Sequence, residues 1–296
     1  MSSVIKELSE KNVINPPKYV KNQTQFETMM GSFAYGVADV GSDIDIYGFC
    51  IPYKEVMFPH LNGEILGFGR QTQRFENYVQ HHIFYKEKEY DLTIYSIVKY
   101  FQLCMENNPN MVDSLFVPSR CITYSSQIGQ MVRENRRLFL SKKSWHTFKG
   151  YAYSQLNKMR NKKIEGKRKE LVDKYGYDVK FAYHLVRLLE EVKQILSEGD
   201  LDLERNREQL KSIRRGDRDE KEIIEYFESQ EKNLESLYVN SSAVPYSPPE
   251  DKIKQLLLNC LEEFYGSLDN MISMPDKFTN LYNDLRDVLD KYNNKA

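Results

Sequence analysis

Two aspartates, Asp43 and Asp45, stand two residues apart in the segment Gly41-Ser42-Asp43-Ile44-Asp45-Ile46-Tyr47-Gly48. The segment alternates polar and apolar residues, the pattern of a half-buried strand. On such a strand residues i and i+2 point to one face, so the two carboxylates are expected side by side. Ile44 and Ile46 point the other way and anchor the strand in a core. Adjacent carboxylates repel unless positive charge lies between them, and a divalent cation is the natural partner. Magnesium suits such a pair, because it takes few protein carboxylates and keeps sites for water and phosphate oxygens.

About ten residues upstream lies Gly31-Ser32-Phe33-Ala34-Tyr35-Gly36. A glycine lets the backbone approach a ligand closely, and successive N–H groups can cradle an anion. The Ser32 hydroxyl can donate to a phosphate oxygen. The two segments together read as a turn that holds a triphosphate beside a metal-binding strand. The plainer alternative is an ordinary turn followed by two surface aspartates. Order, spacing and the apolar flanks favour the first.

These residues carry a resemblance. The pattern GS followed by SDIDIYG resembles the signature of the DNA polymerase β superfamily of nucleotidyltransferases. Three later blocks are similar to its RNA-ligase-associated subgroup in bacteria and phages. They are Glu89-Tyr90-Asp91-Leu92-Thr93-Ile94-Tyr95-Ser96 with Asn108-Pro109, then Phe148-Lys149-Gly150-Tyr151-Ala152, then Lys180 to Leu189. The resemblance extends to about residue 265. It implies a mixed-sheet nucleotidyltransferase domain, residues 1–125, followed by an α-helical bundle domain, residues 126–296: an α+β fold. It implies Mg2+ (or Mn2+) as cofactor and an NTP as substrate. The expected reaction is transfer of a nucleoside monophosphate to a hydroxyl, with an RNA end as the favoured acceptor. Gly31, Ser32, Tyr35 and Ser42 fall within the two motifs as candidate nucleotide contacts.

The superfamily also implies a third carboxylate on a later strand. Glu87, Glu89 and Asp91 would share one strand face by period two. Asp91 matches the resemblance best, with Glu89 as runner-up; locally Asp91 could instead cap a helix near Thr93. Asp43, Asp45 and Asp91 are therefore the candidate metal ligands and catalytic residues. Lys180, His184 and Arg187 recur at i, i+4 and i+7 on one helix face. They either hold triphosphate or acceptor in the cleft, or pair with acidic residues of neighbouring helices. His81 and His82 are neighbours on an expected strand, point to opposite faces, and read as structural.

These motifs need a scaffold, and the rest of the chain supplies its outline. The chain has 296 residues, 41% hydrophobic and 29% charged, which excludes a disordered protein. Apolar runs are too short for a transmembrane helix, and the first residues read as neither signal nor transit peptide. The scattered Cys50, Cys104, Cys121 and Cys260 argue against structural zinc and for reduced thiols in a cytoplasm, which the resemblance implies is that of a bacterial or phage-infected cell. Strand signals fill the first third, with strands expected over 75–95 and a helix over 94–105. Long helices are expected over 141–163, 178–197, 217–237 and 249–270.

Net charge is −1, yet residues 131–170 carry 13 Lys/Arg against 3 Asp/Glu. That segment either faces an anionic partner such as RNA or neutralises an acidic neighbour. Trp145, Phe148 and Ala152 fit a buried stripe, leaving Tyr151 and the lysines for the surface. Residues 162–169 read as an exposed charged loop. Two other functions compete with RNA-end transfer. One is a non-catalytic nucleotide sensor or antitoxin-like module. The other is nucleotidylation of a protein or small molecule. The oligomeric state is open.

Overall fold

The structure is a computed structural model and describes residues 3–58, 74–161 and 167–266. Two short helices, α1 (Val4–Glu10) and α2 (Lys18–Gln23), precede strand β1 (Thr24–Met29). Strand β2 (Ile44–Cys50), a helical turn α3 (Lys54–Met57), and strands β3 (Asn77–Tyr85) and β4 (Lys88–Ser96) follow. Helices α4 (Ile97–Met105) and α5 (Pro109–Phe116) lead to the last strand, β5 (Ile122–Ser125). Beyond it come α6 (Gln127–Glu134), α7 (Lys143–Asn161), α8 (Lys167–Tyr175), α9 (Val179–Glu198), α10 (Arg207–Arg214), α11 (Glu220–Asn240) and α12 (Glu250–Tyr265). The fold is a five-stranded mixed sheet followed by a bundle of helices, as the resemblance implies.

The sheet runs in the order β3-β4-β2-β1-β5. Its central pair, β2 and β4, is parallel, and every other pair is antiparallel. Alternation along the central pair sorts the side chains. Ile44, Ile46, Leu92 and Ile94 pack with Ile5 and Leu8 of α1 and Val20 of α2. Burying each of these side chains contributes roughly 2 kcal/mol. The acidic residues that alternate with them, Asp45 after Ile44 and Asp91 before Leu92, must then face the other side.

β3 and β4 form a hairpin whose turn residues, Lys86 and Glu87, both have left-handed backbone (φ 48° and 61°). Glu87 thus belongs to the turn and does not share the Asp91 strand face by simple alternation. The helix after β4 starts at Ser96, whose side chain accepts from the Lys99 N–H, so Asp91 is not that helix's cap.

On the opposite side of the sheet, Phe26 and Phe49 join a core that continues through α4, α5, α7, α9 and α11. Helix α9 is its spine and packs against α7, α10 and α11. Its start is fixed by Asp178, which accepts from the N–H groups of Lys180 and Phe181. Its end is fixed by Gly199 in the left-handed conformation. The expected stripe of Trp145, Phe148 and Ala152 on α7 is buried. Of the charged stretch 162–169, residues 162–166 lie outside the described residues. Residues 167–169 open α8 and are helical, in place of the expected loop.

Candidate active site

β2 and β4 run in register, and that register places Asp45 directly opposite Asp91. A shift of one residue would send one of the two carboxylates into the apolar layer beneath. Asp43 sits just before β2 and is exposed, at the mouth of the same cleft. The Asp45 carboxyl is half-buried and pushed up to about 6. Burial is the main cause; repulsion from Asp91 adds to it, the Lys180 ammonium opposes it, and Asp43 raises it further. Asp45 therefore feels both other carboxylates.

The glycine-serine turn is packed against the same point. A Cβ on Gly31 would lie 2.2 Å from Asp45 Oδ2, and Gly31 has φ +60°. Any larger residue would collide with the carboxylate and strain the backbone. The Met30 N–H donates to the Asp45 carbonyl at 2.7 Å, which ties the turn to β2. From Gly31 the chain coils tightly, with Ala34 N–H to the Gly31 carbonyl and Val37 N–H to that of Ser32. Gly48 serves the sheet instead. Its Cβ would lie 2.0 Å from the Phe26 carbonyl, so only a glycine permits the close β1–β2 approach.

A cleft of about 390 Å³ opens over these residues. Gly31, Ser32, Ser42, Asp43 and Asp45 line one side, and Lys180, Tyr183 and His184 of α9 line the other. Ser42 Oγ donates to Asp39 Oδ1 at 3.0 Å and accepts from the Asp39 N–H. Asp39 in turn meets Arg214 at 3.0 Å, an ion pair that fastens the loop to α10.

Two candidate nucleotide contacts do not line the cleft. Arg187 is 5% exposed and Tyr35 1%. The Arg187 guanidinium donates to Asp113 and to the Tyr35 hydroxyl and reaches Glu191 at 3.2 Å. Tyr35 donates to Asp113 at 2.7 Å. These groups form a buried charged knot behind the glycine-serine turn. The face shared by Lys180, His184 and Arg187 is real, but it runs from an open helix end into the core.

Residues that sequence reasoning passes over complete the cleft: Asp39, Glu170, Leu171, Tyr183 and Arg214. Apart from Tyr183, which falls within the block Lys180 to Leu189, nothing in their local sequence marks them, since they come from four separate segments. His81 and His82 do not point to opposite faces as strand alternation predicts. A register shift between Gln80 and Ile83 breaks the alternation, and His82 adopts φ +56°. Both histidines then meet the acids of β4: His81 Nδ1 lies 3.3 Å from Asp91, and His82 Nδ1 2.5 Å from Glu89.

The donors at Asp43, Asp45 and Asp91 are hard oxygens, the kind Mg2+ takes; Asp43 and Asp45 line the cleft, whereas Asp91 does not, and as the side chains stand its carboxylate clusters with His82 and Glu89 instead. A mixed sheet bearing paired acids beside a glycine-serine turn defines a nucleotidyltransferase-like domain. The family model for RlaP, the RNA repair pathway DNA polymerase beta family, matches residues 9–238. The chain belongs to this family, and it is a nucleotidyltransferase of RNA repair or processing. Among solved structures, a nucleotidyltransferase-like protein from Exiguobacterium sibiricum 255-15 is similar at 12% identity and a TM-score of 0.28. That match covers 97% of this chain and 89% of the other, with a similarity too low to bear on the fold. No curated protein matches.

Proposed function

We propose that the cleft binds an NTP with divalent cations and transfers its nucleoside monophosphate to the hydroxyl of an RNA end. The observation that carries this reading is the register of Asp45 against Asp91 with Gly31 seated on the Asp45 carboxylate. Asp43, Asp45 and Asp91 would hold Mg2+ or Mn2+. Bound there, the metal supplies charge neutralisation for the triphosphate and for the oxygens of an in-line displacement.

The chain's own residues do the rest. Gly31 and Ser32 receive the phosphate tail at the close-approach turn, with Ser42 at its rim. Lys180 and His184 face them from α9 and orient the tail from the other side. In this reading Asp91, opposite Asp45 on β4, would take the acceptor hydroxyl's proton as that oxygen attacks the α-phosphorus and pyrophosphate leaves. Catalysis of this kind rests on positioning and charge stabilisation.

Tyr151, 40% exposed on α7, belongs to the basic segment that we assign to the RNA strand. Part of that segment is already neutralised within the fold: Lys149 pairs with Glu231, and Arg137 with Asp200. All four cysteines are free and buried, in keeping with a reducing cytoplasm. Among the described residues no helix is long and apolar enough to cross a membrane.

The test is incubation with each labelled NTP, Mg2+ and a pool of RNAs. Label on RNA supports the reading. Label on the protein itself, on a partner or on a small molecule overturns the acceptor. Tight nucleotide binding without any transfer overturns the enzyme reading and favours a sensor.

A further inference from the structure

The bulge in β3 does more than disturb a strand. It gathers imidazoles and carboxylates at one exposed point on the hairpin. With His82 left-handed, the His82 N–H donates to Asp91 Oδ1 at 2.8 Å. His81 Nδ1 lies 3.3 Å from the other Asp91 oxygen, and His82 Nδ1 lies 2.5 Å from Glu89 Oε1. Ligand atoms of His82, Glu89 and Asp91 all fall within 4.8 Å of one another. A four-coordinate zinc holds its donors at about 2.0–2.2 Å, so such atoms need only small side-chain adjustments to surround one ion. The His82 side chain is 78% exposed, which leaves the point open to entry.

The chemistry differs from that of Asp43 and Asp45. Those offer only oxygen, which suits Mg2+. Imidazole nitrogen beside carboxylate suits later first-row cations, Zn2+ above all under cellular conditions. No metal-spacing signal marks this point in the sequence, because neighbouring histidines on a regular strand diverge. Only the bulge makes them converge.

We propose that His82, Glu89 and Asp91, with His81 beside them, form a binding site for a transition-metal dication of the Zn2+ class. Asp91 belongs to both this set and the catalytic face, so the ion ties the hairpin to the central strand pair. The binding itself does not depend on nucleotide transfer.

The experiment uses the full chain stripped by chelator and titrated with Co2+, followed by visible absorption, then with Zn2+ by calorimetry. His82→Asn removes the imidazole while keeping a residue that tolerates the left-handed backbone. Glu89→Gln is the second variant, and an unchanged melting curve shows that each is folded. One ion per chain is expected, with nitrogen ligation in the Co2+ spectrum and zinc-dependent shifts of the histidine ring signals in the wild-type NMR spectrum. Each variant is expected to weaken Zn2+ at least about tenfold. The double variant Asp43→Asn, Asp45→Asn keeps His82, Glu89 and Asp91 and is expected to go on binding one Zn2+ per chain. Unaltered Zn2+ affinity in His82→Asn, or zinc affinity lost only with Asp43 and Asp45, overturns the site. The labelled-NTP assay reads the transfer function separately, so either proposal can fail alone.

Discussion

Asp45 concentrates the chemistry of this cleft because it touches everything that matters there. It lies opposite Asp91, feels Asp43 and Lys180, and is capped by the Gly31 backbone. Replacing Asp43, Asp45 or Asp91 by Asn is expected to lower nucleotide transfer at least about a hundredfold, a scale typical of lost electrostatic stabilisation. Melting temperature should hold or rise for Asp45→Asn, because the change removes repulsion. Single-turnover kinetics beside a thermal melt checks both halves. Gly31→Ala is expected to fail on both counts. Its methyl would lie on the Asp45 carboxylate, and the left-handed backbone alone costs about 1 kcal/mol or more. A melt and a transfer assay on that variant decide it.

At the scale of elements, β1 and β2 each hold a carboxyl that the fold leaves reluctant to ionise. Asp45 is pushed up to about 6, and Glu27 of β1, buried under the N-terminus of α1, to about 7. For Glu27 burial outweighs the hydrogen bonds from Ser3 Oγ and the Val4 N–H. In the unfolded chain both titrate near ~4. Between about pH 4 and 7 the folded protein therefore binds more protons than the unfolded one, and its stability falls as pH rises through that window. Denaturant melts of chelator-treated protein across this range should show that decline. Adding Mg2+ should lessen the Asp45 share of it and leave the Glu27 share. A flat profile would show that these groups ionise freely in the fold.

Helix α9 separates two roles along one face. Lys180 is exposed near its start, and Arg187, two turns or about 10 Å on along the axis, is buried. Lys180→Ala is expected to leave the melting curve unchanged and raise the NTP Michaelis constant. Arg187→Met should destabilise the fold by about 3–5 kcal/mol, since Asp113 and Glu191 lose their shared cation in the core. Measuring both variants by melt and by kinetics tells the roles apart.

Over the whole molecule, the loop between β1 and β2 is clamped to the helices that follow the sheet. Arg120 meets Glu204 at 2.5 Å and donates to the Phe33 carbonyl, while Arg214 holds Asp39. The cleft therefore depends on both parts of the chain. If RNA lies along the basic segment, its affinity should fall with salt, with a logarithmic slope of about −0.7 per phosphate contact. Filter binding at several salt concentrations measures that slope; salt-independent binding would remove the basic segment from the RNA path.

Local spacing and the period of a strand made the glycine-serine turn and the inward alternation of Ile44 and Ile46 legible, and with them the outward face of Asp45; Asp43 falls just before the strand, where that period no longer applies. Apolar periodicity also marked the long helices α7, α9, α11 and α12 and the buried stripe of α7, because it records which face is covered, while the short helices α6, α8 and α10 lack a long enough pattern to be read. Tertiary structure decided which acid faces Asp45, since a parallel register between β2 and β4 is a pairing of distant segments. It also decided that Tyr35 and Arg187 lie behind the cleft, since burial depends on what packs from α5. And it turned His81 and His82 toward one point, because a single left-handed residue in a bulge cancels the alternation on which strand reading relies.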